Sequence, residues 1–171
     1  APDWAAMGAA ELVVHNETTN HDNLKAELTS HNSLDDKDAA VHGDRHPELR
    51  DIQRTFEELR ADLEPHLMKE EQVLFPMVRE LAVATTAPTF HSGTLQNPIR
   101  VMLMEHDRAG ELLARQRELT SDYGVPDDGC ASYEALFAGL AELEVDTHQH
   151  VHKENNLLFP AVLEREHLLA N

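Results

Sequence analysis

The chain has 171 residues, enough for one domain with a sizeable core, and its 32 acidic against 14 basic residues give a formal net charge of −18. An acidic surface of this strength repels phosphate backbones and anionic headgroups, which argues against nucleic acid and membranes as partners. The single cysteine, Cys130, excludes an intramolecular disulfide and is typical of a reducing compartment. Because the sequence also shows no basic secretory n-region and no long apolar run, it predicts a cytoplasmic protein.

Helical spacing of apolar residues dominates the sequence, and no segment alternates convincingly with a period of two. The predicted helices cover about residues 9–29, 47–81, 98–120 and 130–166. Pro47 and Pro98 fall in predicted first turns, where the missing N–H costs nothing. Four long amphipathic helices joined by loops predict an all-α, antiparallel up-down four-helix bundle that forms a single domain over residues 1–171.

The inward face of each predicted helix follows from three- and four-residue steps between apolar positions. In the second helix this face comprises Leu49, Ile52, Phe56, Leu59, Leu63, His66, Glu70, Val73 and Met77. The fourth helix repeats it 84 positions later, at Tyr133, Leu136, Leu140, Leu143, Thr147, His150, Glu154, Leu157 and Ala161. The first and third helices carry shorter stripes, at Val14, His21, Leu24 and Leu28, and at Ile99, Met102, His106, Ala109 and Leu113.

A histidine–carboxylate motif therefore occurs twice on inward faces, in HLMKEEQVLFPMV and in HVHKENNLLFPAV. Spacing i to i+4 places the histidine and the glutamate of each motif one helical turn apart on one face. A further histidine precedes each motif on the helix before it. Buried polar groups of this kind need partners, and a pair of metal ions would satisfy all of them at once. The candidate ligands are His21, His66, Glu70, His106, His150 and Glu154.

Each motif also has a simpler interpretation. One inward histidine in a bundle is more often a hydrogen-bonded core residue than a ligand, and one His-x-x-x-Glu is about as often an ordinary side-chain pair. Six such residues in two matched halves favour the metal site. Mixed imidazole and carboxylate donors suit iron, manganese or zinc. Glu71 competes with Glu70 as a ligand, but its counterpart in the second motif is Asn155, so the repeat selects Glu70.

Two other features have a weaker connection to the site. His42 lies in a polar loop. Among the loop histidines it is the one we expect to support a metal ligand through a hydrogen bond or to gate access to the site. Phe75-Pro76 and Phe159-Pro160 end the two motifs, and each proline should kink its helix.

The segments VHGDRHPEL, HLMKEEQVLFPMV, NPIRVMLMEHDRAGELLARQRELT and HVHKENNLLFP resemble the hemerythrin-like domain of the RIC (repair of iron centres) family of bacterial di-iron proteins. The resemblance extends from about Glu11 to Leu163 and implies a hemerythrin-like bundle. Its ligand positions match the six residues that the repeat selects. The family usually carries a small N-terminal domain with a Cys pair, which we expect this chain to lack, and Ser92 stands where relatives often have Cys.

The resemblance implies two iron ions, oxo- or hydroxo-bridged, in a protein that restores iron–sulfur clusters damaged by oxidative or nitrosative stress. Its partners would be damaged iron–sulfur proteins, with nitric oxide or dioxygen as small ligands and a proposed reduction of nitric oxide at the centre. Whether the protein is an enzyme stays open. The alternative is a hemerythrin-like module that binds or senses dioxygen or nitric oxide. A ferritin-like oxidase would need more carboxylates, in Glu-x-x-His pairs that the inward faces lack.

Overall fold

The computed structural model describes residues 3–31 and 45–171, and the architecture in this part of the chain is four long helices. Helix α1 covers residues 9–31 and includes a π-helical turn at Asn16–His21. Helix α3 is Gln96–Leu119. Helices α2 and α4 each consist of an α-helical part, a π-helical turn and a second α-helical part. These parts are Glu48–Lys69, Glu70–Leu74 and Phe75–Val83 in α2, and Ala131–Lys153, Glu154–Leu158 and Phe159–Ala170 in α4.

The predicted all-α class and the four predicted helices are confirmed to within a few residues at most ends. Helix α3 begins at Gln96, two residues earlier than the predicted Pro98, and α4 contacts the segment just before it. Glu166 of α4 accepts the Leu95 N–H at 2.8 Å and the Thr94 hydroxyl at 2.9 Å. The predicted polar loop between the first two helices, which includes His42, lies mostly outside the described residues.

Neighbouring helices are antiparallel, as their ion pairs show. Between α2 and α3, Glu58 pairs with Arg108 and Lys69 with Glu105, so residue numbers rise along one helix as they fall along the other. The same relation holds between α1 and α2, in the pairs Glu17–Arg79 and Lys25–Glu71, and between α3 and α4, in the contacts His106–Asn155 and Arg117–Glu144.

The apolar core has two parts, and the buried histidines and glutamates lie between them. The larger part includes Leu24, Phe56, Leu63, Leu113 and Leu140. The smaller part lies towards the other end of the bundle and includes Val13, Phe75, Leu95, Met102 and Phe159. A polar layer enclosed in this way is shielded from water, so its members must find partners among themselves or in a bound ion.

Three π-helical turns shift the inward faces by one residue, which corrects part of the sequence interpretation. Val73 was expected to face inward but is 51% exposed, whereas Leu74 and Val78 are buried. A π turn holds one extra residue, so every position after it rotates round the helix. The same shift replaces Leu157 and Ala161 with Leu158 and Val162 in α4. In α1 the π turn separates the start of the helix from His21, so Leu12 and Val13 are buried in place of Val14.

The π turns also explain why the two prolines do not end their helices. Pro76 and Pro160 each stand in the first turn of the α-helical part that follows a π turn. Proline has no N–H to donate to the preceding turn, so a local change of helix type there sacrifices little hydrogen bonding. Helices α2 and α4 therefore continue past the Leu-Phe-Pro segments. None of the described helices combines the length and the mean hydropathy that a membrane span requires.

Candidate metal centre

All four helices contribute to one buried polar cluster in the middle of the bundle, and all six predicted donors are in it. Each has at most 3% of its surface exposed. Three of the six belong to π turns, which are frequent at functional sites because they re-aim a side chain that a regular helix would place elsewhere. The cluster comprises His21 of α1, His66 and Glu70 of α2, His106 of α3, and His150 and Glu154 of α4.

Glu70 lies between two pairs of histidines. Its Oε1 atom is 3.2 Å from His66 Nε2 and 3.9 Å from His106 Nε2. Its Oε2 atom is 3.2 Å from His21 Nε2 and 3.5 Å from His150 Nε2. Each oxygen of this carboxylate therefore faces one histidine pair, which is the arrangement that a carboxylate bridging two cations requires.

Glu154 is placed differently. A single oxygen, Oε2, lies 3.2 Å from His106 Nε2 and 3.4 Å from His150 Nε2. The other oxygen accepts a hydrogen bond of 3.0 Å from the side-chain amide of Asn16. The two glutamates that the sequence repeat equates are thus not equivalent in the folded protein.

Unpartnered polar atoms support a cation at this place. Buried His21 Nε2, both Glu70 oxygens, His150 Nε2 and Glu154 Oε2 have no hydrogen-bond partner among the described residues. The ring nitrogens His66 Nε2 and His106 Nε2 face each other at 3.1 Å. Donor atoms of five residues, all of the cluster except His21, lie within 4.8 Å of one another. The donor chemistry and the unpartnered atoms both fit metal ions.

The protonation states favour metal binding as well. Burial lowers the pKa of His150 to about 3, and burial together with the neighbouring His106 lowers the pKa of His66. Burial and then the charge of Glu154 raise the pKa of Glu70. Burial also acts to raise the pKa of Glu154, but His150 and His106 outweigh it and lower that pKa overall. Neutral imidazoles present lone pairs, and two buried carboxylates this close need positive charge between them.

Three of the four histidines make a second contact through Nδ1. His21 Nδ1 donates to Glu71 and His66 Nδ1 donates to Glu105, both at 2.8 Å. His106 Nδ1 is 2.7 Å from the side-chain oxygen of Asn155. Such contacts orient the ring so that Nε2 points into the cluster. Glu71, the alternative to Glu70 as a ligand in the sequence analysis, therefore accepts the hydrogen bond of His21 Nδ1.

Sequence reasoning missed Glu105, Asn155 and Asn16 as parts of the site. Glu105 had a local signal, because it directly precedes His106, and Asn155 had one in the repeat, because it is the counterpart of Glu71. It also missed Lys153, which is 1% exposed. The Lys153 ammonium donates to the Asn20 side-chain oxygen at 2.8 Å and lies 4.0 Å from the centre of the Trp4 ring. His148 and His152, which flank His150 by two positions, are both exposed.

A family model, the hemerythrin HHE cation binding domain, matches residues 12–162. The chain belongs to the hemerythrin HHE family. The match covers all six clustered donors and accounts for a helical bundle that holds buried histidines and glutamates. A cation-binding site, with iron as the implied metal, follows for this hemerythrin-like domain.

Curated relatives agree with the predicted resemblance to iron-centre repair proteins. The chain is 38% identical over 161 residues to a probable iron-sulfur cluster repair protein of Haemophilus influenzae, covering 94% of this chain and 68% of that protein. It is 35% identical to the iron-sulfur cluster repair protein YtfE of Dickeya chrysanthemi and 33% identical to that of Escherichia coli. Each of these two matches covers 96% of this hemerythrin-like chain and 70% of the relative.

Proposed function

We propose that the protein holds two iron ions and serves the repair of iron–sulfur clusters damaged by oxidative or nitrosative stress. The observation that carries this proposal is the dry layer of four imidazoles and two carboxylates whose inward atoms have no hydrogen-bond partner among the described residues. The relatives' names support the repair function. Damaged iron–sulfur proteins would be the partners, in the cytoplasm, as the sequence predicts.

The ligand set we propose comprises His21, His66, Glu70, His106, His150 and Glu154. The oxygens of Glu70 divide the histidines into pairs, so one ion would belong to His66 and His106 and the other to His21 and His150. An oxo or hydroxo group would complete the bridge. A bound pair of irons would supply one-electron redox chemistry and open positions for small ligands such as nitric oxide or dioxygen.

The protein's own residues prepare this site in two ways. Glu71 and Glu105 hold the rings of His21 and His66 and increase their basicity through the Nδ1–H groups. The apolar core on both sides keeps bulk water away, so solvent screens the attraction between the two carboxylates and a bound cation less than it would at the surface.

A groove on the α2–α3 face is the route we propose for ions or small ligands. Its volume is about 430 Å³. Glu105 links this groove to the cluster, since it lines the groove and its carboxylate contacts His66. The groove is lined by Ala61, Asp62, Pro65, Lys69, Met104, Glu105 and Arg108.

A second candidate function is the binding or sensing of dioxygen or nitric oxide, which the match to the hemerythrin family favours. Four histidines in matched halves argue against simple dioxygen storage, because hemerythrins use five histidines around an asymmetric centre. A long-lived and reversible oxygenated spectrum would nonetheless support this function over repair.

The test is to load the protein with iron under anaerobic conditions, measure iron per chain and then assay repair. A [4Fe–4S] hydratase inactivated by nitric oxide would be the substrate. We expect two irons per chain, oxo-bridge absorption in the near-ultraviolet after oxidation, and recovery of hydratase activity. Glu144→Gln is the matched control, because Glu144 is a buried carboxylate of α4 that contacts Arg117 and Tyr123 instead of the cluster.

Three results separate the possibilities. Two irons with recovery in the wild type and in the control, but no recovery in Glu70→Leu, would support repair at this site. Two irons without recovery would refute the repair function and leave gas binding. Fewer than two irons in the wild type would refute the dinuclear centre itself.

A further inference from the structure

An apolar groove lies open on the seam between α2 and α3, next to the smaller part of the apolar core. Its volume is about 200 Å³. Two valines on the rim of this groove are exposed, Val73 at 51% and Val101 at 43%. Exposed apolar side chains that gather in one groove are typical of a binding surface. The groove is lined by Lys69, Val73, Leu74, Pro98, Val101 and Met102.

The internal repeat places a second seam, between α1 and α4, in the equivalent position of the bundle. On the α4 side of this seam, Lys153 corresponds to Lys69 and Leu157 to Val73, both at an offset of 84. The two lysines differ in exposure, because Lys153 is buried while 43% of the Lys69 side chain is exposed. Leu157 is likewise half-buried, whereas Val73 is exposed. The α1–α4 seam is therefore covered where the α2–α3 seam is open.

On the α1 side of the second seam, His15 takes the place of Val101. Val101 lies five residues before His106 in a regular α-helix. His15 lies six residues before His21, and the intervening π turn accounts for the extra residue. His15 and Val101 therefore point in the same direction from their helices, and the two seams match on both sides.

Trp4 covers the α1–α4 seam. The centre of its ring lies 4.0 Å from the Lys153 ammonium and 6.3 Å from the centre of the His15 ring, which it meets edge to face. The indole thus contacts both helices, at two positions that have counterparts in the open groove. It belongs to a 3₁₀ turn, Trp4–Ala6, and packs together with Met7 against the smaller part of the core. A seam of this composition therefore accepts an aromatic ring.

We propose that the α2–α3 groove binds an aromatic side chain, tryptophan above all, from a short segment of a partner protein. The ring would lie over the Lys69 ammonium and against Val73 and Val101. Among the residues that line the groove, Lys69 alone is charged. Its positive charge complements the electron-rich face of an aromatic ring and disfavours a cationic segment. This docking surface goes beyond the repair function and does not depend on the metal centre.

The ion pair of Lys69 is compatible with such a ring. Lys69 donates to Glu105. Lys153 in the other seam donates to Asn20 while the Trp4 ring covers the same ammonium. One ammonium can therefore serve a side-chain acceptor and an aromatic face together. A partner's ring would bury the apolar surface of the groove, and the cation–π contact would fix its position.

The experiment measures the binding of a fluorescently labelled peptide to the iron-loaded protein by anisotropy. The peptide is DWAAMGA, residues 3–9 of this chain with capped ends, because this segment covers the equivalent seam. We expect saturable binding with a dissociation constant on the order of 0.1–1 mM, since one aromatic side chain and its small neighbours bury little surface. The same peptide with alanine in place of tryptophan should bind roughly tenfold more weakly.

Val101→Glu tests the location of the site. A carboxylate at this position pairs with Lys69 and places a charge in the groove, so peptide binding should weaken roughly tenfold. Val73→Ser is a second variant, which removes apolar surface without adding charge. Val145→Glu is the matched control, because Val145 is an exposed valine of α4 that does not line the groove. This control should bind the peptide as the wild type does.

Several results would overturn the proposal. No saturable binding to the wild type, or equal affinity of the wild type and both groove variants, would show that the groove takes no aromatic segment. Equal affinity of the alanine peptide would show that the ring is not recognised. If N-acetyltryptophanamide binds as tightly as the peptide, the ligand is a free aromatic compound. If the wild type sediments as a dimer and Val101→Glu as a monomer, a second copy of the chain covers the groove.

Discussion

His66 donates its Nδ1–H to Glu105 across 2.8 Å, and the same carboxylate also accepts a hydrogen bond from Lys69. In the other half of the repeat, Lys153 corresponds to Lys69 and Asn20 to Glu105. There the lysine is buried and the acceptor is a neutral amide. The two halves therefore have similar metal-facing donors, but the lysine of each half has a different acceptor. One half has a charged and partly exposed pair, Lys69–Glu105, beside its histidine, and the other half has a buried pair, Lys153–Asn20.

Glu105→Gln should weaken iron binding about tenfold, the lower end of the range for residues that support a metal-ligating histidine. Glutamine still accepts the hydrogen bond of His66, but it lacks the negative charge that makes the imidazole a stronger donor. Competition with a chelator of known affinity measures the change. Glu58→Gln is the control, since Glu58 lies on the same face, pairs with Arg108 and contacts no histidine of the cluster. Equal affinities in the two variants would contradict this role of Glu105.

Glu70→Leu should have opposite effects on metal content and on the metal-free protein. We expect at most one iron per chain, because Glu70 is the carboxylate that faces both histidine pairs. The metal-free variant should be more stable than the metal-free wild type by about 1–3 kcal/mol, since a buried carboxylate without hydrogen bonds is replaced by an apolar side chain.

Iron content and thermal unfolding in the presence of a chelator measure the two effects of Glu70→Leu. In the wild type, removal of iron should lower the melting temperature, because a ligand that binds only the folded state stabilises it. Two irons and an unchanged spectrum in the variant would show that Glu70 is not a ligand.

Glu27 makes stability depend on pH through an acidic cluster between α1 and α4. Burial, and then repulsion from Asp146 and Glu142, raises the pKa of Glu27 from 4.5 to about 7. The folded state holds this proton more tightly than the unfolded state. Stability contributed by the protonated form is therefore lost as the pH rises from 4.5 to about 7.

Glu27→Gln removes this loss, so its melting temperature should exceed that of the wild type at about pH 8 and approach it at about pH 4.5. Glu57→Gln, at an exposed position of α2, makes the same change in net charge and should show no such pH dependence. A constant difference between Glu27→Gln and the wild type across this range would argue against a shifted pKa at Glu27.

His46 ties the segment before α2 to the segment before α4. Its Nδ1 atom is 3.1 Å from Glu48 and its Nε2 atom is 3.1 Å from Asp128. Burial opposes protonation, but the hydrogen bonds to the two carboxylates outweigh it and raise the pKa of His46 above 6.5. The stabilisation is complete below pH 6.5 and is lost as the pH rises through the folded-state pKa.

His46→Asn should therefore lower the melting temperature most at about pH 5.5 and least at about pH 9. Thermal unfolding at several pH values measures the profile. His91→Asn, a change at an exposed loop histidine, serves as the control and should leave the profile unchanged. A larger effect of His46→Asn at the high-pH end would mean that the ring is neutral in the folded protein.

The number of helices, their approximate positions and the polar layer were predictable from the sequence because each depends on local periodicity. Leu49 to Glu70 and Tyr133 to Glu154 follow a regular helical rhythm, and the residues at those steps are buried as expected. The prediction failed from Val73 onward because a π turn adds one residue and rotates all later positions of the helix. Proline after the motif signalled a disturbance, but the type of disturbance depends on packing against the neighbouring helices.

The sequence by itself determined which histidines and glutamates meet inside the bundle, because helical periodicity places each of them on the inward face of its helix. Their role as ligands stays a prediction until metal is measured. Only the tertiary structure decided that Glu154 is held by Asn16, that Glu105 supports His66, and that Lys153 is buried beside Asn20. These contacts join residues that are 39 or more positions apart in the chain, and no periodicity within one helix specifies which side chain of another helix lies opposite.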